Sequence, residues 1–123
     1  IKPNRSWLEE LCGEKLETLD DNSDAARKLK KAGAKNVLVS LGADGALLVT
    51  EDNQVIYRKA VKGNVINSTG AGDSMVAGFI CGWLEKGDYS YALDMGISAG
   101  SASTFSENLA TKEEIEKIYE LLQ

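Results

Sequence analysis

Histidine is absent from the 123 residues, proline occurs once, cysteine twice, and only 7% of positions are aromatic. Without histidine there is no Ser-His-Asp triad. Cys12 and Cys81 stand far outside metal-ligand spacing, so a Cys/His zinc site is excluded as well. Two such cysteines, with no signal-like or long apolar segment, fit a reduced compartment, and a cytoplasmic location is expected. No stretch reaches the roughly 18 apolar residues that a membrane helix needs, so a membrane partner is not expected. Positive charge is in deficit too: 14 Lys and Arg against 19 Asp and Glu give a net charge of −5. That balance argues against nucleic acid as the main partner. A hydrophobic share of 43% is ordinary for a globular chain. The length suits one domain, residues 1–123, with a real core.

Glycine is not scarce, and its placement carries most of the information. Asn67-Ser68-Thr69-Gly70-Ala71-Gly72-Asp73 is a loop of small residues that runs into the apolar Ser74-Met75-Val76-Ala77-Gly78-Phe79-Ile80. Gly70 and Gly72 let the backbone turn sharply and leave its N–H groups uncovered. At the start of a helix those donors are unpaired, and the dipole's positive end adds to them. The result is an anion site, most plausibly for phosphate. Asp73 is the informative residue. A carboxylate beside a phosphate cradle repels the ligand, so a pure binding loop gains nothing from it. It makes sense as the base that takes a proton from a nucleophile attacking that phosphate. A helix-capping Asp73 is the competing reading of a bare Gly-x-Gly-Asp. A Walker A loop is ruled out because no Lys-Ser/Thr follows the last glycine. The dinucleotide fingerprint fails at Met75, where it needs glycine.

The longer run Ser-Thr-Gly-Ala-Gly-Asp-Ser-Met-Val-Ala-Gly-Phe, residues 68–79, resembles the second signature of the PfkB-type (ribokinase-like) carbohydrate kinases. Within them, Gly-Asp-Ser-Met-Val-Ala-Gly-Phe is most similar to the 1-phosphofructokinases. The resemblance covers the C-terminal half of such kinases. It implies an α/β fold, the C-terminal part of a three-layer α/β/α sandwich with a mixed sheet edge. It also implies ATP-dependent phosphoryl transfer, with Mg2+ bridging the phosphates. Asp73 would be the base, and Gly70, Ala71 and Gly72 the anion hole. The favoured acceptor is fructose 1-phosphate, giving fructose 1,6-bisphosphate. Tagatose 6-phosphate or another sugar is the alternative within the class. A nucleotide-binding regulatory module without turnover is the alternative outside it.

Ser40-Leu41-Gly42-Ala43-Asp44-Gly45 is similar to the family's nucleotide-contacting Ser/Thr-x-Gly-x-x-Gly segment. Read alone it is a hairpin turn; the resemblance makes it part of the ATP site. The family also carries Asn-x-x-Glu, whose Glu helps organise magnesium and its waters. Here Asn4 is present but Trp7 takes the Glu position, which leaves Asn4 as a water-mediated magnesium contact or a turn residue after Pro3.

The remaining pattern is structural. Ile1-Lys2-Pro3-Asn4 lacks an initiator Met and reads as the end of a strand already under way, so a fragment, inactive alone, is expected. Its open sheet edge could pair with a second copy, which keeps a homodimer among the expected assemblies. Trp7, Leu8 and Leu11 predict a short helix ending near Gly13. Asp20–Asp24 is expected as a polar loop, with caps at Asn22 or Ser23 for a helix from Ala25 to Ala32. Apolar residues 36–42 predict a strand buried on both faces, and two hairpins follow through Asp44-Gly45 and Asp52-Asn53. Helix 70–86 should bury a stripe of Met75, Val76, Phe79, Ile80, Trp83 and Leu84. Its small residues should pack on the thin helix begun by Asp88 or Ser90. After a loop at Ser106-Glu107-Asn108, a Thr111–Glu114 capping box opens a last helix with a buried stripe of Ile115, Ile118, Tyr119 and Leu122.

Overall fold

The computed structural model describes residues 1–63, 66, 70–105 and 110–123. The chain forms two compact units, Ile1–Lys59 and Ala60–Gln123.

The first unit contains α1 (Arg5–Cys12), α2 (Leu19–Lys31), β1 (Val37–Ser40), β2 (Ala46–Val49) and β3 (Val55–Arg58). The strands pair antiparallel in the order β1-β2-β3, with Ser40 opposite Ala46 and Val49 opposite Val55. The first residues run beside β1 in the parallel sense. Leu38 donates its N–H to the Ile1 carbonyl at 3.0 Å, and Ser40 donates to that of Pro3 at 3.2 Å. Asn4 and Ser40 complete a parallel bridge. The mixed edge is therefore present. Leu8, Leu16, Ala25, Ala26, Val37, Val39, Leu41, Leu47 and Val49 make the core of this unit. Each buried Leu or Val contributes about 1.5–3 kcal/mol relative to exposure.

α1 matches the expectation at both ends. Asn4 accepts the Trp7 N–H at its start, and Gly13, with φ 70°, closes it. α2 begins six residues before the expected Ala25. Thr18, not Asn22 or Ser23, is its cap: Thr18 Oγ1 accepts the Asp21 N–H at 3.0 Å, and Asp21 Oδ2 accepts the Thr18 N–H at 3.2 Å. That reciprocal pair is a capping box with Asp in the position where Glu is usual. Asn22 and Ser23 lie buried inside the helix, donating back to the carbonyls of Thr18 and Leu19 at 2.8 Å each. The β2–β3 turn holds Asn53 at φ 64°, and Lys30 reaches across to its Oδ1 at 2.7 Å.

The second unit contains α3 (Ala71–Lys86), α4 (Tyr89–Thr104) and α5 (Lys112–Leu122). Asp88 caps α4 and Thr111 caps α5 with a capping box to Glu114. α3 and α4 meet through their small residues. A Cβ on Gly82 would lie 3.0 Å from Ala92 Cα, and one on Gly96 would lie 3.0 Å from the Met75 carbonyl oxygen. The expected large stripe of α3 is only partly covered: Met75, Val76 and Phe79 are half-buried, with Met75 and Phe79 against α4, and the small-residue contact is the tightest part of that side. Gly82 is the helix's one buried residue, whereas Ile80 is 50% and Leu84 78% exposed. The glycines let the helix axes approach, so the thin face is the one that packs. Trp83 stacks on Tyr89 with ring centroids 4.3 Å apart, and Tyr91 meets Tyr119 edge-on at 5.5 Å, tying α4 to α5. On α5 the expected stripe is half-buried. The loop expected at Ser106-Glu107-Asn108 lies outside the described residues. Among the described residues no helix is long and apolar enough to cross a membrane.

Candidate functional site

Among the described residues, four of the five α-helices start on a residue whose side chain accepts a hydrogen bond from the first turn: Asn4, Thr18, Asp88 and Thr111. α3 starts on Gly70, which has no side chain to do so. Gly70 is held at φ 80°, a conformation that costs an L-residue roughly 1–2 kcal/mol. The first intrahelical bond runs from the Ser74 N–H to the Gly70 carbonyl at 2.9 Å. Among the described residues, the N–H groups of Ala71, Gly72 and Asp73 have no acceptor. Three donors and the positive end of the helix dipole thus face out of the same helix end. Asp73 lies on the same turn and is exposed. Its carboxylate has no hydrogen bond or ion pair among the described residues. Asn67, Ser68 and Thr69, which precede this turn in the sequence motif, lie outside the described residues.

α4 holds the turn from behind. Ser103 Oγ, buried, donates to Ser74 Oγ at 2.8 Å. Gly100 brings its backbone so near that a Cβ there would lie 3.2 Å from the Ala71 carbonyl oxygen. The sequence singled out neither as a site residue. Both are small residues on a thin helix, a pattern that signals close packing without saying against what.

The second candidate segment lies in the first unit. Ser40 ends β1, and Leu41 leads into a single 3-10 turn over Gly42–Asp44. Leu41 and Gly45 pin it at the base, the Leu41 N–H donating to the Gly45 carbonyl at 2.9 Å. Gly42 at φ 59° and Gly45 at φ 100° both adopt left-handed backbone. The turn leaves Gly42, Ala43 and Asp44 exposed, with the N–H groups of Gly42 and Ala43 lacking an acceptor among the described residues. Asp44 is fastened twice. Arg5 reaches its Oδ2 at 2.9 Å, and the Tyr57 hydroxyl donates to its carbonyl. Neither Arg5 nor Tyr57 stands out in the sequence, because nothing local links them to residue 44.

Asn4 stands beside this segment through its bridge to Ser40. Its Oδ1 is engaged by the Trp7 N–H at 2.8 Å, which is a capping role. No group of three or more His, Cys, Asp or Glu side chains among the described residues converges as a metal site. The described residues do not by themselves form a magnesium cage.

A family model described as "pfkB family carbohydrate kinase" matches residues 1–116. The chain belongs to the pfkB family of carbohydrate kinases. A 1-phosphofructokinase of Bacillus subtilis (strain 168) is 38% identical over 118 residues, covering 96% of this chain and 39% of that protein. The pfkB fold is also evident in solved structures. A crystal structure of a protein provisionally called a phosphofructokinase, from Staphylococcus aureus, superposes with a TM-score of 0.93 at 36% identity, over 98% of this chain and 39% of that one. Phosphofructokinase-2 from Escherichia coli, in complex with substrates and products, gives 0.89 at 34% identity, over 98% and 40%. The chain therefore spans about two fifths of the length of these relatives. Its α/β architecture is ribokinase-like.

Proposed function

We propose that this chain supplies the nucleotide-binding part of an ATP-dependent sugar-phosphate kinase, and that the acceptor is the C6 hydroxyl of fructose 1-phosphate. The observation that carries the reading is the Gly70-capped start of α3: three N–H donors that have no acceptor among the described residues, beside an exposed Asp73 that has no partner among them either. Family membership supports reading this arrangement as a phosphoryl-transfer site, and the 38% identical 1-phosphofructokinase favours the acceptor.

In this reading Asp73 accepts the proton of the C6 hydroxyl as its oxygen bonds the γ-phosphorus. The bond from that phosphorus to the bridging oxygen breaks, and ADP leaves. The N–H groups of Ala71 and Gly72, joined by that of Gly70 on the family resemblance, stabilise the negative charge on the transferring group, a role that typically lowers barriers by a few kcal/mol. The segment Ser40–Gly45 contacts ATP through the free donors of Gly42 and Ala43. A magnesium ion bound to the nucleotide would neutralise part of its phosphate charge. A water-mediated contact from Asn4 to that ion is part of the proposal and rests on the family resemblance.

The test is ADP release by the complete protein that carries this chain, across fructose 1-phosphate, tagatose 6-phosphate and fructose 6-phosphate. Fructose 1-phosphate is expected to give the highest kcat/KM. A higher value for another sugar reassigns the acceptor within the family. ATP binding without ADP release on any sugar would favour a regulatory module instead.

A further inference from the structure

The exposed turn at Gly42–Asp44 poses an electrostatic problem. Asp44 puts a carboxylate, 66% exposed, within a segment whose neighbouring N–H groups, lacking an acceptor among the described residues, are open to an anion. A polyphosphate approaching those donors meets like charge. Arg5 stands against that charge. Its Nη2 lies 2.9 Å from Asp44 Oδ2, and it is held there by the fold, since Arg5 is the first residue of α1 and follows directly on the strand-like residues 1–4. Tyr57 fixes the backbone of the same residue from β3 through its hydroxyl. Among the described residues the carboxylate thus has one cationic partner, reached over a sequence separation of 39 residues.

We infer that Arg5 is a positioning residue for the nucleotide: it neutralises Asp44 and holds it aside, so that the Gly42–Ala43 donors are offered to a polyphosphate without a facing negative charge. This rests on the reading of Ser40–Gly45 as nucleotide-contacting. An exposed ion pair contributes little to stability, so a purely structural purpose for the pair is weak. Its effect on an incoming polyanion is larger, because an uncompensated carboxylate a few ångströms away repels each phosphate in turn.

The test is ATP affinity of the complete protein by calorimetry, at low and at high ionic strength. Arg5→Met is expected to weaken ATP roughly three- to tenfold at low salt, with a smaller loss at high salt. The double variant Arg5→Met with Asp44→Asn should return to within about twofold of the parent, because the charge that needed compensation is gone. Arg5→Lys should stay near the parent. A tether that merely holds the loop predicts otherwise: the double variant, still lacking the bond, would bind as weakly as Arg5→Met, and that result overturns the proposal. If Arg5→Met does not fold, Asp44→Asn alone decides. Equal or tighter ATP binding is expected, and weaker binding overturns the inference. A parent protein that binds no ATP would overturn the nucleotide reading and this inference together. A parent that binds ATP while Arg5→Met, Asp44→Asn and the double variant all match it would overturn this inference alone.

Discussion

Gly78 and Met95 approach so closely that a methyl group on Gly78 would lie 2.6 Å from the Met95 carbonyl oxygen, and 2.7 Å from Ala99 Cβ. Gly78 sits in the middle of α3, where Ala normally stabilises a helix by about 0.5–1 kcal/mol. Backbone atoms cannot yield as a flexible side chain does. Gly78→Ala should therefore destabilise the complete protein, by about 1–3 kcal/mol, in a urea titration. A stabilised variant would mean that the two helices are not held at this distance.

Gly70→Ala probes the anion-binding turn more directly. At φ 80° an added Cβ is strained, and relief requires the N–H groups of Ala71 and Gly72 to re-aim. ATP affinity and kcat are both expected to fall, with a stability loss of roughly 1–2 kcal/mol. Gly72→Val should also reduce both kinetic quantities, by covering donors without left-handed strain. Unchanged kinetics in Gly72→Val would put the phosphate elsewhere.

Asp21 gives the first unit an acid-sensitive cap. Its carboxylate accepts the N–H groups of Thr18 and Glu17, and these bonds hold its pKa below the usual value of 3.8. A depressed folded-state pKa contributes stability that is present above the unfolded value and is lost as pH falls through the folded one. Below about pH 4, then, the parent should lose stability more steeply than Asp21→Asn. Thermal midpoints measured between about pH 5 and pH 2 check this, and parallel curves for the two would contradict it.

Local rules read much of this fold from the sequence. Gly13, Asp88 and the Thr111–Glu114 pair mark helix ends where the structure has them, because capping depends on residues a few positions apart. The same rule missed Thr18, where Asp21 fills a position more often held by Glu, and a run of acidic residues reads as loop. Burial of α3 was harder to read. Apolar periodicity marks large residues as the core side, yet Ile80 and Leu84 are exposed while the Gly78 and Gly82 face packs on α4. Periodicity measures hydrophobicity and is blind to how near two backbones can come. At the candidate site, Gly70 to Asp73 were legible because donors, turn and carboxylate are consecutive. Arg5, Tyr57 and Ser103 were not, since each acts on a partner 13 or more residues away.

The direct test of the central claim is Asp73→Asn in the complete protein, with kcat and ATP affinity measured separately. A general base typically contributes about 10²–10⁴ in rate. The expected result is a kcat lower by at least about two orders of magnitude with ATP binding nearly unchanged, because the amide keeps the shape and loses the proton acceptor. A loss of less than about tenfold in kcat would contradict the assignment of Asp73 as the base.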